Sequence, residues 1–194
     1  MLSSEDRILD ATKRCCERWG IEKVTVDDIA SEAGVSRATL YRLFPGGKDV
    51  LFEAHRVREL DEFFTRMLAE VAGAESFEEL LVRTLVTATL ELRADEHLAI
   101  MLASEPGETL GQLTAAGVPR IIRVATSYLT PLVTPYLDDH QSAQLIDVLA
   151  RATISYFLAP SEHFDLGDPL SAQAFSRPLL SVFHPHTVSL NNSL

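Results

Sequence analysis

Apolar residues recur every three or four positions along most of the chain, the spacing that gives an α-helix one buried face. Ile8, Ala11, Cys15 and Trp19, with Leu9 and Cys16 beside them, predict a first helix that stops at Gly20. Thr25, ahead of Val26-Asp27-Asp28, predicts a second helix reaching about Ala33: its hydroxyl caps free amides, and the two carboxylates sit at the positive end of the helix dipole. Gly34 supplies the backbone freedom of a tight turn, Val35 plugs the inside of that turn, and Ser36 caps a third helix from Arg37 to Phe44. Leu40 and Phe44, four apart, must then face inward with Ile8, Ile29 and Val35, which turns Arg37, Ala38, Tyr41 and Arg42 outward.

Pro45-Gly46-Gly47 breaks the chain again, and beyond it Leu51, Ala54, Val57, Leu60, Phe64, Leu68 and Val71 share one face of a long helix from Lys48 to Ala72. Ser76-Phe77-Glu78-Glu79 is a capping box for a helix to about Arg93, and Asp95 opens a shorter one ending near Ser104. The Gly-rich stretch from Glu105 to Gly117 predicts a loop with partial helix. Further helices are expected over Pro119 to Thr130, where Pro131 and Pro135 kink or end the element; from Asp138 or Asp139 to about Leu158; and from near Pro169 to before Pro185. No β-like alternation and no repeat interrupts this pattern. The fold class is all-α with about nine helices: a three-helix helix-turn-helix domain over residues 1–47, a helical domain over 48–184, and a tail over 185–194 expected to be disordered.

Charge sharpens the picture. The 194 residues carry a net charge of −11, which by itself argues against a polyanionic partner. Residues 1–48, however, hold eight Lys/Arg and eight Asp/Glu, so the whole excess of acid lies in residues 49–194. Between Ala33 and Lys48 the charged side chains are Arg37, Arg42 and Lys48, a local positive surface suited to DNA.

Other chemistry is sparse. The adjacent Cys15 and Cys16 diverge on one helix, which argues against a disulfide between them and fits core packing in a reducing compartment. His184-x-His186 lacks the further ligands of a dedicated metal site, so no metal is expected. His55, His97, His140 and His163 stand singly, outside any nucleophile or acid/base motif; neither an enzyme nor a cofactor is implied. The apolar runs fall short of the roughly 20 residues that span a bilayer, and the N-terminus has no stretch of signal-peptide length. A cytoplasmic protein without a membrane partner is the expectation.

The string from Thr25 to Phe44, TVDDIASEAGVSRATLYRLF, with Trp19-Gly20 before it and Lys48-Asp49 after it, closely resembles the N-terminal signature of TetR-family repressors. The resemblance covers about residues 5–55. It implies that Thr25 and Lys48 contact phosphates from helix starts, that Ser36, Thr39 and Tyr41 hold the DNA backbone, and that Ala38 lies in the same interface. Arg37 and Arg42 are the candidates for base edges, because a guanidinium donates two bonds to guanine O6 and N7. Ala38 stands where the family most often has glycine, and Pro45-Gly46-Gly47 is one residue longer than the usual connection.

For the rest of the chain the resemblance implies an effector cavity and a homodimer, and the residues alone leave alternatives open. Phe64, Leu68, Leu85, Leu92, Arg93, His97, Met101 and Tyr128 either line a cavity or build an ordinary core. With few polar anchors among them, a lined cavity implies an apolar small-molecule effector. Leu145, Val148, Leu149, Ala152 and Tyr156, with Leu170, Ala174, Leu179 and Phe183, either meet their copies in a dimer or pack within one chain. Dimerisation follows from mechanism, since two readers about 34 Å apart address a palindromic operator on one DNA face. The rival is a helical small-molecule-binding protein with a vestigial helix-turn-helix.

Overall fold

A short polar prelude sets the first helix. Ser3 accepts a hydrogen bond from the Asp6 amide at 3.0 Å, and the Asp6 carboxylate accepts from the Ser3 amide at 3.1 Å. This capping box opens α1 (Ser4–Trp19) a turn ahead of that helix's first apolar residue, Ile8, and Gly20 ends it at φ 81°. The computed structural model describes residues 3–104, 106–114 and 117–183, without the side chains of His97, Glu108 and Gln112. Among these the other elements are α2 (Val26–Ala33), α3 (Arg37–Leu43), α4 (Lys48–Val71), α5 (Phe77–Ala94), α6 (Glu96–Ser104), α7 (Pro106–Leu113), α8 (Val118–Val133), α9 (Asp139–Leu158) and α10 (Pro169–Phe183). The fold is all-α, with an N-terminal helix-turn-helix and a helical C-terminal part.

Two differences from the sequence pattern have physical reasons. The stretch expected as a loop carries α7: Pro106 fits a first helical turn, where its missing N–H costs nothing, and outweighs Gly107 and Gly111. The helix expected to end at Pro131 runs on to Val133. Ser127 and Pro131 are both exposed, so the carbonyl that the proline leaves without a donor faces solvent. The tail and the His184/His186 pair lie outside the described residues.

The chain forms two compact units, Met1–Asp61 with Glu96–Leu110, and Glu62–Asp95 with Gly111–Leu194; the boundaries fall within α4, between α5 and α6, and within α7. In the first, Ile8, Ile29, Leu40 and Leu51 have no exposed surface and are joined by Val24, Phe44 and Phe52. Each such side chain contributes about 1.5–3 kcal/mol by leaving water. Cys15 and Cys16 are both buried here as free thiols. Burial is the leading cause that pushes the Cys15 thiol above its ordinary pKa, which keeps it protonated and unreactive. In the second unit, Phe64, Met67, Leu81, Leu85, Leu129, Leu137, Leu145 and Ile146 are buried. No helix among the described residues is long and apolar enough to cross a membrane.

Candidate nucleic-acid interface

The helix-turn-helix is built from caps. Thr25 opens α2 with a second reciprocal pair: its hydroxyl accepts from the Asp28 amide at 3.2 Å, and the Asp28 carboxylate accepts from the Thr25 amide at 2.9 Å. At the far end Gly34 takes the left-handed conformation, φ 64° and ψ 38°. There its N–H and that of Val35 reach back to the last carbonyls of α2, at 3.1 and 3.0 Å. Arg7 of α1 secures the same corner, donating to the carbonyls of Ala33 at 2.6 Å and Gly34 at 3.3 Å. A Cβ at Gly34 would lie 3.0 Å from that guanidinium. Gly34→Ala is therefore expected to cost about 1–2 kcal/mol through the left-handed backbone alone, read as a lowered urea midpoint with an unchanged slope.

From this corner α3 projects its outer face. The Ser36 hydroxyl accepts from the Thr39 amide at 3.1 Å and lies 2.9 Å from the Thr39 hydroxyl. Leu40 points into the core; Thr25, Ser36, Arg37, Ala38, Tyr41 and Arg42 are exposed, and Thr39 and Lys48 half-buried. Seven of the eight expected contact residues thus lie at the capped start of α2 or on α3 and its cap, and Lys48 opens α4. Gly46 and Gly47, at φ 129° and 69°, make the turn before it, and the Tyr41 ring packs against Gly47, leaving only 3.2 Å for an added Cβ. The extra residue in this connection is absorbed by two positive-φ glycines.

Two cations are engaged in ways that the sequence does not announce. Arg37 Nη1 donates to the Asp27 carboxylate at 3.1 Å, and the Arg37 guanidinium lies 5.7 Å from the centre of the Tyr41 ring. The Tyr41 hydroxyl first, and the Asp27 charge second, favour the charged form of Arg37. Lys48 Nζ donates to the Glu22 carbonyl at 3.2 Å over the face of Phe52. Arg42 has no hydrogen bond or ion pair among the described residues.

The caps also set a pH dependence. Hydrogen bonds from Ser3 hold the Asp6 carboxyl below its ordinary value, and those from Thr25 do the same for Asp28. A depressed folded-state pKa gives stability that is present above the ordinary carboxylate range, near pH 4, and is lost as pH falls through the folded value. The melting temperature should hold steady from about pH 7 to 5 and drop below pH 4, with a shallower drop in Asp28→Asn.

In the second unit, two of the expected pocket residues come together: the rings of Phe64 and Tyr128 stack at 5.6 Å. Leu85 is fully buried; Leu68 and Leu92 are half-buried. Arg93, expected as a polar anchor, is exposed and bonded to Asp165 at 2.7 Å. Met101 and the backbone of His97 belong to the other unit. The residues expected at a dimer face divide in the same way. Leu145, Leu149 and Phe183 are buried within the single chain, and Tyr156 packs edge-on against Phe164 and Phe175. Ala152 and Leu179 are half-buried, whereas Val148, Leu170 and Ala174 face outward. An open groove of about 540 Å³ runs past His140, Gln144, Val148 and Val182.

The model of the bacterial regulatory proteins of the tetR family matches residues 8–55, the stretch from the first core residue of α1 to His55 of α4. Residues 8–55 thus form an N-terminal domain of the TetR-family type. It is 32% identical over 99 residues to an HTH-type transcriptional regulator of Mycobacterium bovis, a match that covers 51% of this chain and 50% of that protein. The chain thus spans about half the length of the first curated relatives it matches. With the HTH-type transcriptional regulator AlkX of Mycobacterium tuberculosis it shares 26% identity over 161 residues, 81% of this chain and 76% of that one. The crystal structure of the TetR-family repressor AlkX from Dietzia sp. strain DQ12-45-1b, implicated in biodegradation of n-alkanes, superposes with a TM-score of 0.65. That likeness is one of fold, at 20% identity over 93% of this chain and 97% of that one. These relatives are transcriptional regulators by name.

Proposed function

We propose that this chain is a TetR-family regulator: a dimeric, sequence-specific DNA-binding transcriptional repressor, released from a palindromic operator by a small apolar effector. The observation that carries the reading is the outward face of α3. Ser36, Arg37, Ala38, Tyr41 and Arg42 are exposed at the start and along the outer face of a helix whose opposite side is pinned by Leu40 and whose start is fixed by the Ser36 cap. Such a helix enters the major groove, where arginines read guanine edges, while Thr25 and Lys48 grip phosphates from the starts of α2 and α4. Residues 1–47 are the reader, and residues 48–184 bind effector and partner copy.

The apolar effector is supported by the Phe64–Tyr128 stack, by the apolar character of Leu68, Leu85 and Leu92 in the same unit, and by the alkane-degradation context of the Dietzia repressor. Release follows if the effector binds better to the arrangement whose readers no longer match the operator; a difference of about 1–3 kcal/mol changes occupancy severalfold to a hundredfold.

Selection of bound duplexes from random DNA tests the reading. The expected product is a palindrome with half-sites about one helical turn apart, and Tyr41→Ala should weaken its binding at least about tenfold while the circular dichroism melt keeps its cooperativity. Recovery of no enriched sequence would instead favour a helical small-molecule-binding protein with a vestigial helix-turn-helix.

A further inference from the structure

We propose that Asp27 is a positioning residue for DNA recognition: it holds the Arg37 guanidinium in one orientation on the outer face of α3 and so sets which base pair that arginine accepts. This rests on the reading of the chain as a DNA-binding regulator.

Arg37 is held from two sides by groups on different elements. Asp27, in the first turn of α2, takes one Nη1 hydrogen at 3.1 Å. Tyr41, one turn further along α3, lies 5.7 Å away by its ring centre. The tyrosine ring is itself backed by Gly47, so the surface beneath the guanidinium does not swing freely. An arginine has five N–H donors in a rigid plane; fixing one edge of that plane on a carboxylate aims the remaining donors as a unit. The Arg37 side chain keeps 62% of its surface exposed, which leaves its outer edge open to a base.

The charge of Asp27 makes the inference sharp. Its side chain is 63% exposed, on the face that meets DNA, where a carboxylate repels phosphates. An exposed ion pair of this kind adds little to folding stability, so the fold does not require it. Asp27 therefore weakens adhesion to DNA in general while restricting the geometry in which Arg37 donates. Removing its charge has two effects of opposite sign: affinity for arbitrary duplex rises, and discrimination between the selected operator and arbitrary duplex falls. A residue that merely added negative charge would shift both affinities together.

The test is a two-residue cycle in the full-length protein, with wild type, Asp27→Asn, Arg37→Ala and the double variant titrated against the selected operator and a scrambled duplex by fluorescence anisotropy. Melting temperatures confirm that all four fold. For Asp27→Asn the expected result is tighter binding to scrambled DNA, a salt dependence steeper by about one in the log–log slope, and a ratio of specific to non-specific affinity lower by about tenfold. With Arg37→Ala already present, Asp27→Asn should leave that ratio unchanged, because no guanidinium remains to be aimed. An unchanged ratio in Asp27→Asn, or an equal fall whether or not Arg37 is present, overturns the assignment and leaves the regulator reading intact. Wild-type protein with no preference for any duplex overturns both.

Discussion

Leu40→Ala should abolish operator binding at 37 °C without removing any side chain that faces the DNA. Leu40 has no exposed surface and sits between Thr39 and Tyr41, at the point where α3 is fastened to Ile8, Ile29 and the rest of the first core. Truncating a fully buried leucine costs about 2–5 kcal/mol, counting both the lost transfer energy and the cavity left behind. A domain of this size has only about 5–15 kcal/mol in total, so most of the population that presents an intact reader is lost on modest warming. Urea melts followed by circular dichroism should show the lowered midpoint, and anisotropy should show binding that recovers on cooling. Leu40→Met, which conserves volume, should cost less than about 1.5 kcal/mol and keep operator affinity. Retained binding at 37 °C in Leu40→Ala would mean that α3 is not fastened through this residue.

The second large effect concerns assembly. Leu170, Ala174, Pro178 and Val182 recur every four residues on α10 and are exposed, Leu170 by 77% and Val182 by 67%. An apolar stripe of this kind marks a surface that is covered in the working protein. If a second copy covers it, Leu170→Glu with Val182→Glu places carboxylates in an apolar contact and yields monomers in sedimentation at micromolar concentration. Operator affinity should then fall by about 10²–10⁴, the contribution of linking two readers, while the monomer still melts cooperatively because neither residue supports its own core. A double variant that stays dimeric would place the contact between copies on another face.

The first unit was legible in the sequence because its determinants are local. Thr25, Gly34 and Ser36 act within four residues of themselves, and the structure finds each of them at the cap or turn it implies. The apolar spacing likewise identified Leu40 and Phe44 as inward-facing. Beyond residue 55 the same spacing says that one face of a helix is buried and nothing about what buries it. Leu145 and Val148, three apart on α9, read alike in sequence, yet one is in the core and the other faces solvent. Arg93 was expected in a pocket because it stands among apolar residues; its partner Asp165 is 72 positions away, and no local pattern announces a contact at that distance. Asp27 shows the same limit at shorter range: its helix-start position explains the acid by the helix dipole, and its pairing with Arg37 across the turn emerges only from the fold. The ring of Ser3 and Asp6 around the start of α1 was missed for a simpler reason, since it precedes the first apolar residue by which the helix was recognised.

The central claim is that the outer face of α3 reads DNA, and an anisotropy titration of wild-type protein against the selected palindrome and a scrambled duplex, at 50 and 200 mM salt, tests it most directly. Preference for the palindrome should persist at both concentrations, with affinity for each duplex falling by at least about a hundredfold as salt rises, as expected when several phosphates are neutralised. Equal affinity for the two duplexes, or binding that does not respond to salt, would contradict it.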